Sequence, residues 1–578
     1  MTGHGGTESR RNKIKKPPCL RASVAFVIAV GALAAPAAAQ VRAGTCPEMV
    51  LHNGTIATMD ARNTMARSVT IRGNRIAAVS TGSGIPKHER CATLINLRGR
   101  TVIPGLIDSH NHIVQLSLRP GHDMREIESA FSIADLQQVT RAMAGTLPAG
   151  DWMTAVGGWA PHQFAERRMP TQDELDAAAP DHPVYLQTGF AGPAVTNTRG
   201  RAFLARHGVT IGADGSIGAN APTIAAWKAL KSLQSDADRR RGALDAMTYA
   251  ARVGLTTSAD KGGAWPGDTP GAQGVAQLGA GAANEVPPFT AYDQFIALDR
   301  ERRMPVRVRI FFYMQDLTPQ LPFLTARLEN QFPDFGSGSL RVSGLGERIH
   351  GADAAPPVYE AAVRLVAQKR WAYDQHANGL ADQKAIVAVW EKVNAAFPLG
   401  DLRWCLAHVP GIDLDTLNRV KALGAGVNIT GGRYLSGTAA QEGSPFRRML
   451  ESGIRVGYGG DGGSVAPLNP WPHVYYMVTG RNSAGEVIEP PGQLLTRTEA
   501  LRMYTSSQAW FTKDESDLGS IEPGRLADLV VLSDDFFDAR KVPDAAIKRL
   551  RSVLTIVDGR IVHNALTPAG AGPIVPVH

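Results

Sequence analysis

The chain has 578 residues, of which 44% are hydrophobic, 20% charged and 6% aromatic, with 60 glycines and 37 prolines. That balance excludes a disordered or fibrous chain, and beyond the first 40 residues no apolar run is long enough to span a membrane. The formal net charge is +8, but residues 1–39 hold six Lys/Arg and one Glu. The remaining 55 basic and 52 acidic residues nearly balance, so nucleic acid is not an expected partner.

Arg10, Arg11, Lys13, Lys15, Lys16 and Arg21 form a positive start, followed by an apolar stretch from Ala22 to Ala35. Pro36 and Ala37-Ala38-Ala39 then precede Gln40. Charge, apolar core and small-residue cleavage site in that order read as a secretory signal over residues 1–39. It is too short for a stable membrane anchor, so the expected mature chain starts at Gln40 and is periplasmic or secreted. Arg10-Arg11 also fits a twin-arginine signal, although Lys13 stands where that pattern prefers Phe; an ordinary basic segment reads equally well. Cys19 leaves with the leader, and Cys405 sits in an apolar run that suits a buried thiol. Cys46 and Cys91 bracket the next segment and are candidates for a bridge in an oxidising compartment.

From Met49 to Arg100 the chain reads as short strands and turns, with hairpin signals at Asn53-Gly54 and Gly73-Asn74. The texture returns at Ala527–Leu532 and Val553–Val562, with the turn Asp558-Gly559. Both ends are therefore expected to build one small β-domain, over residues 40–100 and 511–578. The middle, 101–510, alternates strands and helices. Strand candidates are Thr101–Ile107, Val184–Gln187, Leu255–Ser258, Val306–Tyr313, Leu340–Ser343, Trp371–Asp374, Leu402–Leu406, Val427–Thr430 and Arg455–Tyr458. Helical patterns such as Pro357–Lys369, Leu380–Ala396, Asp413–Leu423 and Thr498–Gln508 follow several of them. That alternation argues for an α/β fold with a parallel sheet, open or closed into a barrel. Gly262 to Pro288, rich in Gly and Ala, reads as a long loop after a strand.

Val102-Ile103-Pro104-Gly105-Leu106-Ile107-Asp108-Ser109-His110-Asn111-His112 carries the strongest local signal. Residues two apart on a strand share a face, so His110 and His112 project together and can hold one cation. A bare His-x-His is common, but companions follow. Trp371–His376 ends one strand candidate in His, Arg403–His408 ends the next likewise, and Arg455–Asp461 ends a later one in Asp. Imidazole suits Zn, Fe, Ni or Mn.

On these residues the chain resembles the amidohydrolase superfamily, and within it the amidohydrolase-3 branch that includes N-substituted formamide deformylases. Further pieces of the resemblance are Met169-Pro170-Thr171, His182–Gln187 and Gly519-Ser520-Ile521-Glu522-Pro523-Gly524-Arg525-Leu526-Ala527-Asp528-Leu529-Val530. It implies a (β/α)8 TIM-like barrel with a small β-sandwich domain from both termini. It also implies that His110, His112, His376 and His408 ligate one or two divalent metals, zinc foremost. Asp461 would touch the metal and act as general base on water, then return the proton to a leaving nitrogen. Bound metal lowers the pKa of water and polarises a carbonyl.

The chain departs from the family pattern twice. Where many members carry a lysine after a middle strand, Val342–Gly351 offers Glu347, a carboxylate able to bridge two metals. Where many have Gly-His after the Val184–Gln187 strand, Gly189-Phe190-Ala191-Gly192-Pro193 has no His, so substrate preference is expected to differ from the deformylases. Gly344–Gly351 is a poor dinucleotide loop, because its glycine spacing is wrong and Pro356-Pro357 interrupts the helix. Trp159, His162, His350 and His473 are weaker candidates for the site. The expected activity is metal-dependent hydrolysis of an amide-like C–N bond in a small molecule. Alternatives are an esterase, lactonase or isomerase on the same barrel, or a degenerate periplasmic binding protein. Assembly into a homo-oligomer stays open.

Overall fold

Both ends of the chain enter one sheet in the computed structural model, which describes residues 46–566 apart from 83, 87–88, 263–291, 314–315, 317 and 350–355. The expected leader, His350 and nearly all of the expected Gly262–Pro288 loop thus lie outside the described residues. The sheet runs Arg560–Asn564, Ser552–Val557, Leu529–Leu532, Thr101–Pro104, Met49–Ala57, Met65–Arg72 and Arg75–Ser80, with Thr93–Asn96 also paired to Met49–Ala57. Its strands alternate as half-sandwiched strands should. Leu529 and Val531 enter a core of their own with Leu51, Val69 and Ile556, while Val530 and Leu532 face the large core of the middle region.

Gly73-Asn74 and Asp558-Gly559 close hairpins as expected, the latter with φ of 54° and 73°. Asn53-Gly54 does not. Met49–Ala57 continues through it as one strand, and its register against Met65–Arg72 shifts between His52 and Ile56. Asn53 takes φ 62°, and a Cβ on Gly54 would lie 2.4 Å from Arg100 O, so this pair makes a bulge rather than a turn. Cys46 and Cys91 are joined, with Cα atoms 5.9 Å apart, and Cys405 is a buried free thiol.

The expected strand Thr101–Ile107 breaks at Gly105. Thr101–Pro104 pairs antiparallel with the Leu529–Leu532 strand, whereas Leu106–Asn111 enters a parallel sheet. A Cβ on Gly105 would lie 2.2 Å from Thr256 Oγ1, so only glycine fits where the chain changes sheets. That parallel sheet runs Leu340–Leu345, Arg307–Phe312, Leu255–Lys261 and Leu106–Asn111; a second runs Asp374–Ala377, Cys405–His408, Gly426–Thr430 and Arg455–Gly459. The strands are buried almost throughout, as parallel strands covered on both faces are. At one junction Leu345 bridges Tyr373 in the parallel sense, and its N–H donates to Ala372 O (3.0 Å). At the other, Asp461 N–H donates to His110 O (2.6 Å).

Helices alternate with these strands. Leu380–Asn394 and Leu414–Ala422 form near the expected positions, the second capped by the Asp413 carboxylate on Thr416 N–H. The expected helix Thr498–Gln508 ends early, as Arg497–Arg502, after a capping box of Thr496 and Glu499. The strand placed at Trp371–Asp374 is Asp374–Ala377, so His376 lies within it. Val184–Gln187 is not in either parallel sheet. It belongs to a five-stranded sheet with His122–Asp123, Met153–Val156, Ala194–Thr196 and Ser216–Ile217. A short apolar run announces a strand but not its partners. Among the described residues no helix is long and apolar enough to cross a membrane.

Candidate metal centre

The six candidate residues meet at the C-terminal ends of the parallel strands. His110 and His376 lie in the last residues of their strands, His408 ends its own, and Glu347, His112 and Asp461 follow theirs by one or two residues. His408 and Asp461 take φ of 71° and 54°, which turns each out of its strand toward the shared space. Three groups offer ligand atoms all within 4.8 Å of one another: His110, His112 and Glu347; His110, His408 and Asp461; and Glu347, His376 and His408.

Glu347 is the hub. Its Oε2 lies 2.8 Å from His376 Nδ1, 2.9 Å from His408 Nε2 and 3.4 Å from His110 Nε2. Asp461 Oδ1 lies 3.1 Å from His112 Nε2, and its Oδ2 lies 3.7 Å from His408 Nδ1. Burial pushes the Glu347 carboxyl up, but the His376 charge and hydrogen bonds from three imidazoles outweigh it and hold the group well below its ordinary value. Burial likewise opposes ionisation of Asp461, and His112 with its neighbours holds that carboxyl low. His110 is pushed up to about 10: burial lowers it, and Asp374 and Glu347 more than reverse that. His408 is lowered by burial and by His376.

Sequence reading missed the layer behind these residues. Asp374 Oδ1 lies 3.4 Å from His110 Nδ1, and Lys261 Nζ lies 3.0 Å from Asp374 Oδ2. Thr430 Oγ1 is 2.7 Å from His408 Nδ1, and Asn378 Nδ2 is 2.7 Å from His376 Nε2. Asp374 had a signal, since it stands two residues before His376 on one strand and shares its face. Other candidates stay outside. Trp159 packs on Phe164 at 5.8 Å, and His162 Nε2 bonds to Leu435 O (2.6 Å). His473 lies behind the centre, bonded to Tyr504 OH (2.7 Å), with burial lowering it to about 3.

The donor set fits a divalent cation. His110 is completely buried, and its two ring nitrogens face carboxylate oxygens of Asp374 and Glu347 at 3.4 Å each, longer than an ordinary hydrogen bond, so a cation can compete for the ring. Imidazole nitrogens mixed with carboxylate oxygens suit zinc.

The sequence pattern of the amidohydrolase family matches residues 93–563. The chain belongs to the amidohydrolase family. It is an enzyme of the metal-dependent amidohydrolase class, which acts on carbon–nitrogen bonds other than peptide bonds. It is 25% identical over 563 residues to an N-substituted formamide deformylase of Arthrobacter pascens, covering 89% of this chain and 97% of that one. The protein LONG AFTER FAR-RED 3 of Arabidopsis thaliana is 24% identical over 543 residues, 86% of this chain and 89% of its own length. Among solved structures, an uncharacterized metal-dependent hydrolase from Pyrococcus furiosus superposes with a TM-score of 0.53 at 19% identity, over 84% of this amidohydrolase and 98% of that chain. An atrazine chlorohydrolase from Arthrobacter aurescens, solved with zinc, gives 0.52 at 16% identity, over 90% and 97%. These neighbours show an α/β TIM-like fold for the amidohydrolase described here.

Proposed function

We propose that this amidohydrolase is an exported enzyme that hydrolyses an amide-like C–N bond of a small molecule, with zinc held by His110, His112, Glu347, His376, His408 and Asp461. One observation carries the reading: four imidazoles and two carboxylates from five strand ends converge, in three groups whose ligand atoms lie within 4.8 Å of one another. We read the eight parallel strands as a closed (β/α)8 barrel over 101–510, supported by the Leu345–Tyr373 bridge and the Asp461–His110 hydrogen bond. The terminal sheet is read as a β-sandwich domain from 40–100 and 511–578.

A bound divalent cation supplies Lewis-acid chemistry, lowering the pKa of water and polarising a carbonyl. Asp461 moves the proton. Its carboxylate is held ionised by His112 and neighbouring imidazoles, so it can accept a proton at neutral pH. The water oxygen bonds to the carbonyl carbon, the C–N bond breaks, and the proton on Asp461 goes to the departing nitrogen. Acid and amine result. Glu347, which faces three imidazoles, would serve as a ligand shared between two cations if two are held, its negative charge offsetting their repulsion. Export is supported by the basic, apolar and Ala-rich order of residues 1–39 and by the Cys46–Cys91 disulfide.

The test combines metal analysis, chelation and a panel of N-substituted formamides, other amides and esters. Bound zinc with turnover of an amide, lost on chelation and regained with zinc, is the expected result. A metal-free protein that turns over nothing supports the binding-protein alternative, and preference for esters supports the esterase. N-terminal sequencing of exported protein should begin at Gln40; a start at Met1 refutes the leader.

A further inference from the structure

Behind His110 lies a buried ion pair that the proposed hydrolysis does not use. Asp374 and Lys261 are each about 1% exposed. Lys261 ends the Leu255–Lys261 strand, and its ammonium sits 3.2 Å from the centre of the Phe311 ring while pairing with Asp374 Oδ2. The pair is tightly enclosed. A Cβ on Gly344 would lie 2.6 Å from the Phe311 ring, and one on Gly346 would lie 2.8 Å from Asp374 O. Burying two charges is expensive, and two apolar side chains would fill the same space at less cost. Something other than packing therefore accounts for this choice.

We infer that Asp374 and Lys261 are positioning residues for His110, Asp374 fixing the imidazole through Nδ1 and Lys261 fixing Asp374. The inference rests on the metal-site reading above. His110 Nδ1 faces Asp374 Oδ1 at 3.4 Å, whereas Nε2 faces Glu347 Oε2, also at 3.4 Å. A carboxylate on the Nδ1 side holds the proton there, leaves the Nε2 lone pair toward the ligand cluster and makes that nitrogen a stronger donor. The other imidazoles have weaker outer partners: the Thr430 hydroxyl for His408, the Asn378 amide for His376 and, at 3.4 Å, the Gly262 carbonyl for His112. Among the described residues, His110 is the imidazole of the four backed by a carboxylate from outside the candidate ligand set. Lys261 has its own task there. Asp374 is a third carboxylate beside Glu347 and Asp461, and unanchored it would compete as a ligand; the ammonium on Oδ2 holds it back.

The experiment uses full-length protein stripped of metal, with cobalt(II) as the probe, in three forms: wild type, D374N, and the double variant D374N/K261M. Cobalt affinity, the visible absorption of bound cobalt and thermal stability are read for each. D374N is expected to bind cobalt 10–100-fold more weakly, with an altered spectrum, and to melt lower because Lys261 is left unpaired. The double variant removes both charges, so it should regain the melting temperature but not the affinity or spectrum. That divergence separates positioning from packing, and it survives even if D374N alone does not fold. Wild-type affinity and spectrum in D374N or in the double variant would overturn the inference while leaving the metal site intact. A wild type that takes up no cobalt would instead sink the metal-site reading, and the inference with it.

Discussion

Where the terminal sheet meets the parallel strands, Arg309 donates to Asp514 through Nε (3.0 Å) and Nη2 (3.1 Å), and Arg307 meets Asp528 in the same fork (3.2 and 3.0 Å). At the opposite ends of the parallel strands, one oxygen of Glu347 serves three imidazoles, and His110 meets Asp374 and Glu347 only at 3.4 Å. Both regions bury charge. In the seam Arg309 and Arg307 each fork onto one carboxylate, so the pairs tie the parallel strands to the C-terminal segment and need nothing more. In the centre the ligand-type atoms of four imidazoles and two carboxylates crowd one space, a surplus of groups that can bind a cation. Such a surplus is what a cation corrects, and the contrast predicts how each region answers to substitution.

The largest effect is expected at Asp461. Asp461→Asn keeps the shape and the site's imidazoles but removes the proposed base, so turnover should fall by about 10²–10⁴-fold while most bound metal remains. Rate and metal stoichiometry measured on one sample check this; a variant that loses both together would make Asp461 chiefly a ligand. The seam should respond the other way. Arg309→Met leaves Arg341, at 3.0 Å, as the cation beside Asp514, and should cost about 3–5 kcal/mol of stability with metal content per folded protein unchanged. Denaturant unfolding with metal analysis tests it, and metal loss in this variant would break the comparison. Glu347→Gln should be milder in rate than Asp461→Asn and, on the proposed two-metal reading, should release one of the metals because the shared negative charge is gone. A wild type that holds one metal, unchanged in this variant, would leave a mononuclear site worked by Asp461 alone.

Much of the centre was legible because strand alternation and position along the chain do not depend on tertiary detail. His110 and His112, then His376, His408 and Asp461, follow from apolar runs ending in ligand-type residues, whereas Glu347 comes from the family resemblance, which puts a lysine in its place. What stayed hidden depends on partners far away in sequence. Lys261 follows what reads as the last residue of a strand at Ser258, and its counter-charge is Asp374. Val184–Gln187 has the texture of a barrel strand, yet its neighbours are strands on either side in an inserted sheet. The break at Gly105 shows only once Thr256 is seen against it.

The smallest expected effect concerns a third buried carboxylate, intermediate between the two regions. Glu128 accepts from Arg125 Nη1 (3.1 Å), Tyr249 OH (3.0 Å) and Asn469 N–H (2.9 Å), a nearly complete set. Burial nevertheless pushes it up to about 7, ahead of the opposing pull of Arg125. A raised folded value means that the folded chain holds this proton more tightly than the unfolded chain, whose value is near 4.5. Its contribution to stability is therefore fully present below about pH 4.5 and is lost as pH rises through about 7. Glu128→Gln cannot titrate. Comparing metal-free wild type and variant at pH 4.5, 5.5, 6.5 and 7.5 should show a flatter stability profile in the variant, with the difference confined to that window. Parallel profiles would mean that Arg125 and the two donors hold Glu128 ionised throughout, which would place it with the matched pairs of the seam.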